Sequence, residues 1–206
     1  LPTERAGYML PRVIPPYKKM FPQVEVQIYE AMSDDLLSAL LKDEINFYII
    51  PRDLKDLPSG LQTECIYREN LYLIAAPGVV KEEDLADPIH NIVRDAFLRS
   101  QPFIPIKKGH AIRKKTDVIF RKKKISPIVS MEVSSCISAV QLAHSGLGIT
   151  IVPSRALEAL GGIDCFCRYQ YGEIPDAWDV NVVYKKDSYL DRTERGFIEL
   201  LKSVFP

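Results

Sequence analysis

Val24-Glu25-Val26-Gln27-Ile28, then Ser33-Asp34-Asp35-Leu36-Leu37-Ser38-Ala39-Leu40-Leu41, then Ile45-Asn46-Phe47-Tyr48-Ile49-Ile50 follow one another early in the chain, and their order decides the fold. The first stretch alternates apolar and polar residues, the pattern of a strand with one buried face. The second opens on Ser33 as N-cap with acids in its first turn, where the helix dipole favours negative charge. Its leucines at 36, 37, 40 and 41 form the apolar stripe of a helix. The third is a near-continuous apolar run, as expected for a parallel strand covered on both faces. Strand, helix, strand in this order predicts a right-handed crossover and an α/β fold.

Upstream, Thr3 to Gly7 reads as a loop. A helix is expected to follow on the apolar spacing of Tyr8, Leu10, Val13, Ile14, Tyr17 and Met20. Pro15 and Pro16 are expected to distort or break it. Downstream, a Pro/Asp loop runs from Pro51 to Gly60. Leu61 to Tyr67 and Asn70 to Ala76 read as two strands, the second ended by Pro77-Gly78. Glu82 to Pro88 is a short helix or turn. Pro102 to Ile106 and Pro127 to Val133 read as strands on either side of a helix from Ala111 to Lys124. Ser134-Ser135 caps a helix that runs to Ser145 and ends at Gly146-Leu147-Gly148. Ile149 to Pro153 is a buried strand, a further helix starts at Ser154, Trp178 to Tyr184 is a late strand, and Thr193 to Val204 is a closing amphipathic helix.

The 206 residues hold 27 basic and 27 acidic side chains and are 47% apolar. That is the composition of an ordinary globular protein with ample core material, so dominant disorder is excluded. No apolar run approaches the ~18 residues of a membrane span. The opening Leu1-Pro2-Thr3-Glu4-Arg5 has neither an initiator Met nor a visible signal peptide, and the chain reads as a fragment of a longer protein. Cys65, Cys136, Cys165 and Cys167 are too few for a disulfide scaffold, and Cys165-x-Cys167 is too tight for the usual redox or zinc spacing. They read as incidental thiols rather than as a redox sensor. His90, His110 and His144 lie apart, so no metal site is expected. Charge is uneven: residues 107–124 hold nine basic side chains and one acid, Asp117. A nucleic-acid contact is one reading of that run; a solvated helix face is the favoured one.

No catalytic signature is present: there is no GxSxG, GxGxxG or GxxxxGK[ST]. The chain is therefore read as a non-enzyme without cofactor. In open α/β sheets, ligands bind outside the carboxyl ends of strands. Four segments qualify: Thr3-Glu4-Arg5, Met32-Ser33, Lys107-Lys108-Gly109 and Ser134-Ser135. Ser33 and Ser134 sit at expected helix starts, where backbone N–H groups favour an anion.

The stretch Gly7-Tyr8-Met9-Leu10-Pro11-Arg12-Val13-Ile14-Pro15-Pro16-Tyr17, with Phe21-Pro22-Gln23-Val24-Glu25-Val26, resembles the opening of the effector domain of LysR-type transcriptional regulators. Asp35 to Leu41 with Ile45 to Ile50, and Val140 to Pro153, resemble later segments of the same domain, in the same order. The resemblance implies an α/β, two-lobed, type II periplasmic-binding-protein-like fold with a two-crossing hinge. Residues 1–76 and 154–206 would form lobe I, and 77–153 lobe II. It implies a cytoplasmic ligand-sensing and dimerisation domain that binds a small-molecule effector between the lobes. DNA would be met only through an N-terminal helix-turn-helix outside this chain, and no membrane is involved. By position, Thr3, Glu4, Arg5, Ser33, Lys107 and Ser134 would contact the ligand. A carboxylate at Glu4, where the family often has Ser or Thr, suits an amine or zwitterion, whereas Arg5 and Lys107 pull towards an anion. Pairing into a homodimer or tetramer would set the first helix of one subunit beside the Ser135–Ser145 helix of another, with the Leu10/Ile14/Tyr17 and Val140 faces in part at the interface. A solute-binding protein of a transporter is the alternative on the same fold.

Overall fold

The computed structural model describes residues 1–51, 57–172 and 177–205. Its elements in chain order are α1 (Thr3–Met20), α2 (Ser33–Leu41), β1 (Tyr48–Pro51), β2 (Leu61–Ile74), β3 (Leu85–Asp87), β4 (Ile92–Val93), α3 (Asp95–Ser100) and β5 (Pro102–Phe103). Then come α4 (Ala111–Lys122), β6 (Ile128–Val129), α5 (Cys136–His144), β7 (Thr150–Pro153), α6 (Ser154–Glu158), β8 (Arg168–Tyr169), β9 (Ala177–Lys185) and α7 (Arg192–Val204). The chain divides into two compact units: Leu1–Glu69 with Trp178–Pro206, and Asn70–Ala177. Residues 154–177 thus belong with the second unit. The division falls at Glu69/Asn70 and Ala177/Trp178.

Unit one is a sheet with helices on both faces. β9 lies between β1 and β2, and it pairs antiparallel with β1 through Tyr48↔Val183 and Ile50↔Asn181. Side chains alternate across a strand, so neighbours on β9 face opposite layers. Val180, Val182 and Tyr184 pack with Met9, Val13 and Tyr17 of α1 and Phe197, Ile198 and Leu201 of α7. Val183 packs with Leu36 and Leu40 of α2 on the other side. Burying a Leu or Ile side chain fully stabilises by about 1.5–3 kcal/mol. α7 starts in a capping box: Asp191 accepts from the Thr193 and Glu194 N–H groups while Glu194 accepts from the Asp191 N–H.

Unit two takes the far end of β2. Leu71–Ile74 pair antiparallel with β7 and, at Leu73 and Ile74, with β8. β5 and β6 pair in parallel, and parallel bridges join Phe103 to Ile149 and Ile106 to Val133. α4 buries Ile112, Thr116, Ile119 and Phe120, the last in edge-to-face contact with Phe103 at 4.9 Å. α5 buries Cys136, Ala139, Val140 and Ala143.

Six expectations from the sequence change. α1 starts at Thr3, so Thr3–Gly7 is helical rather than a loop, and the helix runs unbroken through Pro11, Pro15 and Pro16. Pro11, Pro15 and Pro16 supply no helical N–H to the carbonyls of Gly7, Pro11 and Arg12. All three residues are exposed, while Met9, Val13 and Tyr17 hold the opposite face in the core. The face that carries Gly7, Pro11 and Arg12 is turned towards solvent, and packing of the buried face overrides propensity. Leu61–Ile74 is one strand, because Arg68-Glu69 is a polar step inside it and not a turn. Val24–Ile28 forms no assigned strand, although Val24 and Val26 are half-buried and Glu25 and Gln27 exposed. β1 therefore has an antiparallel ladder to β9 and no parallel neighbour among the described residues. Tyr17 (3% exposed) and Val140 (0%) are core side chains of their own units rather than interface residues. The expected Pro51–Gly60 loop lies in part outside the described residues.

Candidate functional site

Each expected site residue sits at or beside a helix start, and the structure gathers them in two groups, one per unit. In unit one, the Leu1 nitrogen donates to the Tyr29 carbonyl at 2.8 Å, and the Ala31 N–H donates to the Leu1 carbonyl at 3.3 Å. These bonds hold the start of α1, with Thr3, Glu4 and Arg5, beside the start of α2, with Ser33. In unit two, the Lys107 N–H donates to the Val133 carbonyl at 2.8 Å, and the Val133 N–H donates to the Pro105 carbonyl at 3.2 Å. Lys107 is thereby fixed next to Ser134.

The helix starts differ in how they are capped. α1 follows Pro2, and α2 follows Met32; neither residue supplies a side-chain cap. Both helices therefore begin without the side-chain cap that a Ser, Thr, Asp or Asn at those positions would supply. Ser33 is the first residue of α2 and not its cap. In unit two Ser135, not Ser134, caps α5, accepting from the Ser138 N–H at 3.4 Å. Ser134 is thus left outside the helix it was expected to cap.

Arg5 and Glu4 have opposite fates. Arg5 is 5% exposed. Its guanidinium donates to Glu69 Oε2 at 3.1 Å and to the Tyr67 hydroxyl, and it lies 5.6 Å from the centre of the Tyr8 ring. The Trp178 indole N–H donates to the same Glu69 oxygen at 3.0 Å. Burial alone disfavours the Arg5 charge, but Tyr8, Glu69 and Tyr67 outweigh it and hold the guanidinium above its ordinary range. Burial also pushes the Tyr8 hydroxyl well up, against the pull of Arg5. The expected ligand cation is therefore already used inside the fold. Glu69 and Trp178 are the residues at which the chain leaves and re-enters unit one, so this cluster fastens both crossings to α1. Sequence reasoning missed it, because Glu69 and Trp178 are separated by 109 positions. Glu4 is half-buried, and its Oε1 is enclosed with no hydrogen-bond partner among the described residues.

None of the expected residues lines the groove of about 440 Å³ in unit one, which runs between residues 24–29 and 44–49 over Leu10, Ile14 and Phe197. Among the described residues no cluster of His, Cys, Asp and Glu could hold a metal ion, and no helix is long and apolar enough to cross a membrane. The four cysteines are free thiols, and burial raises the pKa of Cys65.

The chain has the type II periplasmic-binding-protein-like fold. Its neighbours among solved structures have that fold: the reduced regulatory domain of OxyR2 from Vibrio vulnificus has a TM-score of 0.79 at 17% identity, over 97% of this chain and 91% of that one. An OxyR mutant from Porphyromonas gingivalis gives 0.77 at 23% identity, over 98% and 89%. The LysR substrate binding domain pattern matches residues 2–206, and the chain belongs to that family. The HTH-type transcriptional regulator CzcR of Bacillus subtilis is 23% identical over 95% of this chain, and the chain spans 62% of that protein's length. Its relatives are transcriptional regulators rather than enzymes.

Proposed function

We propose that this chain is the effector-sensing and dimerisation domain of a cytoplasmic LysR-type regulator, and that its effector is a small amine-bearing or zwitterionic metabolite. The observation that carries the reading is the enclosed, unpartnered Oε1 of Glu4 beside two uncapped helix starts. A buried carboxylate oxygen without a donor costs free energy that a ligand ammonium group recovers. The N-termini of α1 and α2, which carry no side-chain cap, suit a carboxylate on the same ligand through the helix dipole. In this reading Thr3, Glu4, Ser33, Lys107 and Ser134 contact the effector. Arg5 positions α1 and does not touch the ligand. The two crossings act as the hinge, and binding shifts the arrangement of units or subunits by differential affinity. DNA recognition belongs to the part of the regulator beyond this chain.

Isothermal titration with the effector tests the assignment. Ser134→Trp should abolish binding while the melting temperature of the free protein stays within a few degrees of wild type. Glu4→Gln should weaken binding by about tenfold or more, as loss of a charge-assisted bond of about 1.5–3 kcal/mol implies. Unchanged affinity in both variants overturns the assignment.

A further inference from the structure

We propose that the outward face of α4, together with the residues just before and after it, binds the phosphate backbone of duplex DNA by charge and without reading sequence. Nine basic side chains and one acid lie in residues 107–124. The fold partners only some of them. Arg113 bonds Asp117 at 2.9 Å and also Glu132, and Lys123 bonds Asp95 at 2.8 Å. Lys108, Arg121, Lys122 and Lys124 are exposed and make no ion pair among the described residues. Because α4 buries Ile112, Thr116, Ile119 and Phe120, its opposite face carries Lys114, Val118, Arg121 and Lys122 at spacings of three and four. A 12-residue helix is about 18 Å long, and duplex DNA carries one charge per ~1.7 Å of axis, so the face meets several phosphates at once.

Helix stability does not account for the pattern. Cations in the last turn complement the helix dipole, which explains Arg121 and Lys122. Lys108 stands ahead of the N-terminus, where the dipole opposes a cation, and Lys124 stands past the C-cap at φ 52°. The chain as a whole is neutral, so any attraction for a polyanion is local to this face. The one Phe, Tyr or Trp in the segment, Phe120, is 4% exposed, so it offers no stacking platform beside the charges. Single strands are gripped by such platforms, and a duplex backbone is not. The inference is independent of the effector reading.

Fluorescence anisotropy of a mixed-sequence 25-base-pair duplex, titrated with the 206-residue protein at several salt concentrations, tests it. The logarithm of affinity should fall linearly with that of salt, with a slope near −0.9 per phosphate contacted. Combining Lys108→Gln, Arg121→Gln, Lys122→Gln and Lys124→Asn should reduce the slope by about three to four and weaken low-salt binding at least tenfold. Asn suits the left-handed backbone at residue 124. A charge-matched control (Lys19→Gln, Lys42→Gln, Lys186→Gln and Arg192→Gln, all exposed in unit one) should leave both quantities unchanged. Absence of binding, an equal loss in the control, or self-association that the α4 variant abolishes while duplex binding persists would each overturn the proposal.

Discussion

The guanidinium of Arg5 satisfies Glu69, Tyr67 and the faces of two tyrosine rings in a site 5% exposed. Removing one partner of such a pair leaves the other charged and dry, which is why a long cation near an expected cleft is not automatically a ligand contact. Glu64 shows the same principle nearer the surface. Its carboxylate accepts from the Tyr184 hydroxyl at 2.6 Å, from Lys202 at 3.0 Å and from Arg195. Burial works to raise its pKa, but the Tyr184, Lys202 and Arg195 bonds prevail and lower it from 4.5 to about 2. A depressed carboxylate contributes stability that is fully present above 4.5 and is lost as pH falls towards 2. Glu64→Gln should therefore melt below wild type at neutral pH, and the gap should close on acidification through that window. A gap that stays constant with pH in melts followed by circular dichroism contradicts this account of the ion cluster.

At the scale of elements, the readable signals were those carried by local chemistry. The Asp-Leu-rich start of α2, the amphipathic spacing of α4 and α7, the Ser135 cap and the Gly146 turn at φ 84° all lie within one element and its ends. What tertiary contact decides was not readable: the survival of α1 through three prolines, the fusion of two apparent strands into β2, and the buried partner of Arg5. Of the candidate site, the start of α2 near Ser33 and that of α5 after Ser135 were legible; the start of α1 at Thr3 and its pairing with α2 through Leu1 were not. Gly148 makes the contrast concrete. The sequence suggests a helix end, yet the residue sits at φ 149° and a Cβ there would come within 2.5 Å of the Pro102 carbonyl oxygen, the acceptor for the Ile149 N–H. Backbone cannot give way as a side chain does, so Gly148→Ala should cost about 2 kcal/mol or more. Urea unfolding checks it; a loss below about 0.5 kcal/mol contradicts the close approach.

For the molecule as a whole, the family and the fold are given by the match over residues 2–206 and by the likeness to OxyR regulatory domains. The central claim is that this fold serves to sense an amine-bearing or zwitterionic metabolite. A thermal-shift series on the purified chain, run against amino acids, simple amines and simple carboxylates, tests it most directly. A ligand that binds only the folded state raises stability by about 2.7 kcal/mol at a hundredfold excess over its dissociation constant. The account predicts a concentration-dependent rise in melting temperature with at least one amino acid or amine, and none with the matching carboxylate that lacks the amine. Stabilisation by simple carboxylates alone, or no shift across the series, would contradict it.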